Sequence, residues 1–99
     1  MIARHWRGLA KAQHADAYVK HLQTETFPAL KALPGFIGAS ILRRAVPEGV
    51  DFLIITHWDS LEAIHAFAGL DAETAVVPPK VREMMLDFEA RARHYEVLC

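Results

Sequence analysis

The chain has 99 residues, 53% of them apolar, and its 11 basic and 12 acidic side chains leave a formal charge of −1. That balance excludes a disordered chain, which needs low hydropathy and high net charge, and it supplies no positive field for nucleic acid or an anionic membrane. The length suits one domain spanning residues 1–99, the lone Cys99 forms no internal disulfide, and no apolar run approaches the roughly 20 residues of a membrane span, so a cytoplasmic protein is expected.

In chain order, Ile2 to Leu9 alternates bulky and polar residues and predicts a first strand. From about Ala10 the period changes: Ala15, Tyr18, Val19, Leu22, Ala29, Leu30 and Leu33 mark the inner stripe of a helix, with a kink or a break into two pieces expected near Phe27 because Pro28 lacks an amide donor. Pro34-Gly35 stops it. Gly35 to Val46 and Val50 to Trp58 then read as two strands joined through Pro47-Glu48-Gly49. Asp59 followed by Glu62 resembles a capping box and opens a short helix whose Leu61, Ile64, Phe67 and Ala68 face inward. Asp71 to Val77 predicts a further helical turn, Val81 to Phe88 a short helical stripe, and Phe88 to Leu98 a last strand. The order is that of a ferredoxin-like βαββαβ α+β fold with a four-stranded antiparallel sheet.

Such a sheet carries its helices on one face, and the other should be polar in a monomer. Here Phe52, Leu53, Ile54 and Ile55 are apolar without alternation, and Leu42 lies opposite Ile41. Both faces want cover, which predicts a homodimer packed through the sheet face.

The segment His57-Trp58-Asp59-Ser60-Leu61-Glu62-Ala63, the closing His94-Tyr95-Glu96-Val97, and the length and element order resemble the antibiotic biosynthesis monooxygenase family. The resemblance implies a dimeric α/β barrel with a ligand cleft between sheet and helices. It also implies a cofactor-independent oxygenase acting on an aromatic or conjugated small molecule. Trp58, Ile54, Ile64 and Phe67 are the expected cleft residues. The haem-degrading branch carries a Trp at the position of Phe67 and a ligating His at that of Val77, and neither residue here offers a lone pair to iron. The branch that oxidises aromatic polyketides carries an Asn at the position of Ile54 and a Tyr at that of Ile64, so only Trp58 matches.

Six histidines supply the titratable chemistry. His14 and His21, two helical turns apart, are expected on a solvated face. His5, His57 and His94 come from three strands; no short His-His spacing supports a metal, and none is expected. His5 and His94 are the candidate proton acceptors. Two further readings fit the same residues: a non-enzymatic small-ligand-binding or stress-related barrel, and a cofactor-free cyclase or isomerase.

Overall fold

A computed structural model describes residues 1–99. Strand β1 (Ile2–Ala10) leads through a single 3-10 turn into a helical rod made of α1 (Ala15–His21), a π-helical turn (Leu22–Thr26) and α2 (Phe27–Lys31). Strands β2 (Phe36–Val46) and β3 (Gly49–Trp58) form the hairpin, α3 (Leu61–Ala68) and α4 (Pro79–Met84) follow, and β4 (Met85–Phe88) and β5 (Arg93–Glu96) close the chain. The sheet is antiparallel in the order β2-β3-β1-β4, with β5 also on β1. This is the ferredoxin-like α+β fold expected from the sequence.

Alternation decides which side of each strand is inside. Register pairs Arg4 with Thr56, Trp6 with Ile54 and Gly8 with Phe52, so these residues share the face under the helices. His5, Arg7, Leu53, Ile55 and His57 share the other. On β1 the indole of Trp6 lies over Gly8, where a Cβ would come within 2.6 Å of the ring. The close approach requires glycine. A cluster around Tyr18, Leu22, Phe52, Ile54, Val81 and Met85 and a second around Leu30, Trp58 and Ile64 fill the space between sheet and helices.

The irregularity expected near Phe27 takes the form of a wider turn just before Pro28: the amide of Phe27 donates to Leu22 O, five residues back. A proline has no amide to donate to the Thr24 carbonyl, and the wider turn absorbs that gap. The cap of α3 is Ser60 rather than Asp59, its hydroxyl accepting from the Ala63 amide at 3.3 Å. Asp71 to Val77 forms no helix, and the helical stripe beyond it ends at Met84, where β4 begins. The connector instead pairs with the closing segment, Ala75 N donating to Ala90 O and Ala92 N to Glu73 O, with Arg91 bidentate on Asp71. Glu89 N still donates to Arg7 O on β1, but the connector's bonds, and the Trp6 indole donating to Glu89 O at 2.8 Å, draw residues 90–92 off the sheet edge. The expected single last strand is therefore two short ones.

Candidate functional site

Between the helical rod and the inner face of the sheet lies a cavity of about 470 Å³. Trp6 and Ile54 form part of its floor, Leu22, Phe27 and Leu30 line it from the rod, and Phe67 and Val81 close it from α3 and α4. Most of this lining is apolar, as small-molecule sites are, with a few polar groups set into it. Those groups are Arg4, Tyr18, His21, Glu25, Thr26 and Thr56.

Arg4 occupies the apolar phase of β1 and is 4% exposed. Its Nη1 donates to the Ala72 carbonyl and, at 2.7 Å, to His94 Nε2; its Nη2 donates to Thr74 O at 2.8 Å. The guanidinium also stands 5.6 Å from the centre of the Phe67 ring. No carboxylate forms an ion pair with it. Burial lowers its pKa, partly opposed by the field of the exposed Glu73. Because arginine only donates, His94 Nε2 must accept, which fixes the neutral Nδ1–H tautomer. Desolvation, then the Arg4 charge, lower the pKa of His94.

His21 is 8% exposed and borders the cavity, which corrects the solvated position expected for it. The inner stripe of the rod runs through Ala15, Tyr18 and Leu22, and His21 stands one turn beyond Tyr18 on that side. Its Nδ1 lies 3.1 Å from Glu25 Oε2, and Lys80 Nζ reaches the same oxygen at 2.9 Å. The bonds from Lys80 and His21 lower the Glu25 pKa. A carboxylate only accepts, so Nδ1 carries a proton, and the nitrogen that would take up a further one is Nε2. That nitrogen has no partner within the chain. The pair sits at the entrance to the π-helical turn, a feature frequent at functional sites. Tyr18 is 2% exposed, and burial raises its phenol pKa far above the ordinary value.

The residues picked out from the sequence fall in different places. Ile54 and Phe67 line the cavity. Trp58 and Ile64 are fully buried in the second core cluster and do not. The Trp58 indole lies 5.2 Å from Phe36 and 5.9 Å from Phe67 between ring centres, and its Nε1 donates to Thr56 Oγ1 at 2.9 Å. It plugs the end of the core and orients a cavity threonine. His5 is on the outer face of the sheet, 4.9 Å from the Tyr95 ring; desolvation and then His57 lower its pKa. His94 is held behind Arg4, off the cavity wall. Sequence reasoning missed Arg4, Tyr18 and the His21–Glu25 pair. Two signals pointed to them: a charge in the apolar phase of a strand, and an i,i+4 His-Glu spacing on the inner side of a helix.

Fold and cavity together define a ferredoxin-like α+β protein with an apolar ligand-sized pocket between its sheet and its helices. The chain belongs to the antibiotic biosynthesis monooxygenase family, whose model matches residues 1–78. Among solved structures it is similar to a candidate antibiotic biosynthesis monooxygenase from Nitrosomonas europaea (14% identity, all of both chains covered, TM-score 0.71). It is also similar to the haem-degrader MhuD from Mycobacterium tuberculosis with two haems in its active site (21% identity, 100% of this chain and 97% of that one, TM-score 0.68). A candidate antibiotic biosynthesis monooxygenase from Deinococcus radiodurans shares 25% identity over 98% of this chain and 92% of its own, with a TM-score of 0.64. Comparison with curated protein sequences gives no match.

Proposed function

We propose that this protein is a cofactor-independent monooxygenase-like enzyme acting on an aromatic or conjugated small molecule held in the cavity. One observation carries the reading: a histidine whose Nδ1 is fixed on a carboxylate, and whose Nε2 is free, stands on the wall of a mostly apolar pocket. Proton abstraction requires such a base within reach of the substrate, and an apolar wall favours a delocalised anion over a localised one. His21 takes this role, with Glu25 positioning it; His5 and His94 lie away from the cavity. The ionised substrate then reduces dioxygen itself. A CH₂ carbon loses two hydrogens and gains one oxygen as a carbonyl, and the second oxygen leaves as water.

Oxygen uptake with hydroquinones and anthrones tests this. Uptake by the native protein should fall about 100-fold or more in His21→Ala, the loss expected of a general base. Substrate that binds without uptake removes the oxygenase reading in favour of the isomerase or the simple binder.

A second reading rests on the same imidazole. Histidine ligands to metals commonly donate their other nitrogen to a carboxylate, and some structural relatives are haem-degrading. Phe67 and Val77 do not fit iron, so His21 would be the residue holding haem, which would supply redox chemistry of its own. A Soret shift with haemin that vanishes in His21→Ala favours this reading, and one indifferent to the substitution removes it.

The family resemblance and the apolar outer face support a homodimer through the sheet. Leu42 and Tyr95 there are 46% and 49% exposed in the single chain. A monomeric mass by sedimentation at micromolar concentration is the result that excludes it. No helix is long and apolar enough to cross a membrane, and the charge balance and lone cysteine support a cytoplasmic location.

A further inference from the structure

Arg4 makes more of the cavity than a greasy slot. Three of its five N–H groups are used, on Ala72 O, His94 Nε2 and Thr74 O. The Nε–H and the second Nη2–H have no partner in the chain. No side-chain nitrogen or oxygen of the protein is both sealed from open space and unpaired, so Nε borders a void. For a residue 96% buried, the void at hand is the cavity that it lines. The charge is also uncompensated: no carboxylate lies within ion-pair distance of Arg4, and Glu73, whose field reaches it, is solvent-exposed. Glu25 is the one acidic residue on the cavity wall, and Lys80 and His21 already hold it.

We infer that the cavity takes an acid: a flat conjugated molecule whose carboxylate docks on the open N–H groups of Arg4 while its ring system lies along Trp6, Ile54 and Phe67. A buried guanidinium with free donors is stabilised by an anion far more than by a neutral group, since charge-assisted bonds exceed neutral ones in strength. The three bonds to carbonyls and imidazole fix the plane of the guanidinium beforehand, so little side-chain freedom is lost when the ligand binds. The inference rests on the reading of this cavity as the ligand site and adds the chemical class of the ligand.

The test compares naphthoate with naphthamide, the same ring with and without the charge, by calorimetry and by quenching of the tryptophan fluorescence. Naphthoate should bind the native protein about tenfold tighter or more. The Arg4 Nε–Hε proton resonance should move downfield with naphthoate alone. Arg4→Gln should erase the preference, and Arg7→Gln, on the outer face, should keep it. Equal affinity, or tighter binding of the amide, overturns the inference and leaves the cavity as a ligand site. Binding of neither probe overturns the cavity reading and the inference together. The resonance shift needs no substitution, so the question stays decidable if Arg4→Gln does not fold.

Discussion

Two arginines on β1, Arg4 and Arg7, show how differently the two faces of this sheet use the same side chain. Arg4 points under the helices, is nearly inaccessible, and is bound to two carbonyls and an imidazole. Arg7 points outward, is half exposed, and approaches Asp51 at 3.6 Å beside Arg44 at the same distance. On the inner face a charge organises backbone from distant parts of the chain and faces a cavity. On the outer face charges decorate one end of an apolar surface. A buried charge earns its place only where its partners are fixed, whereas a solvated pair hardly constrains anything.

The largest consequence falls on Arg4. Arg4→Met keeps the aliphatic stem and removes every donor, stranding the carbonyls of Ala72 and Thr74 and the Nε2 of His94. The expected loss is about 2–4 kcal/mol, allowing for water reaching the connector. Urea denaturation measures it, and a loss below about 0.5 kcal/mol would mean that the connector between α3 and α4 is held without Arg4.

Much of the fold was legible because strands declare themselves by alternation and the hairpin by its short Pro-Glu connection. The strand from Val50 to Trp58 could be read directly, but not its inner face, because Phe52 to Ile55 do not alternate. The split of the last strand was not legible. It depends on Trp6 reaching Glu89 and on residues 73–75 pairing with residues 90–92, pairings across distances in sequence that no local pattern encodes. At the site, Ile54 and Phe67 were found by position in a family pattern. The spacing of His21 from His14 suggests a solvated face, whereas its spacing from Tyr18 puts it on the inner side of the rod. Net charge and residue spacing do not single out Arg4; only its phase in the strand, shared with Trp6 and Gly8, marks it.

A medium effect separates the faces by pH. His94, behind Arg4, and His5, on the outer face, both have pKa values held below the ordinary 6.5 in the folded chain. Desolvation is the main cause in each, followed by Arg4 for His94 and by His57 for His5. Below 6.5 the unfolded chain therefore binds more protons than the folded one. The stability contribution is complete above 6.5 and declines as pH falls through the folded values. Urea midpoints measured from about pH 8 to about pH 5 should fall on the acid side. His94→Gln, whose amide oxygen can still accept from Arg4, should flatten part of that slope, and His5→Asn the remainder. A slope unchanged by His94→Gln would detach the acid sensitivity from the Arg4 contact.

The smallest effect belongs to Arg7, and its size depends on what covers the outer face. In a single chain Arg7→Ala should change stability by no more than about 0.5 kcal/mol, because both partners of the Asp51 pair are reached by water and Arg44 remains beside the carboxylate. If a second sheet packs there, the same charges are desolvated and the cost of removing one partner rises. The substitution should then be nearly silent at protein concentrations where the chain is monomeric and visible where it is dimeric. Denaturation of Arg7→Ala at low and high protein concentration reads this directly. An effect that stays small at every concentration would place Arg7, Asp51 and Arg44, and Leu53 opposite Arg7, outside any interface and confine the covered area to the other end of the face, around Ile55 and Tyr95.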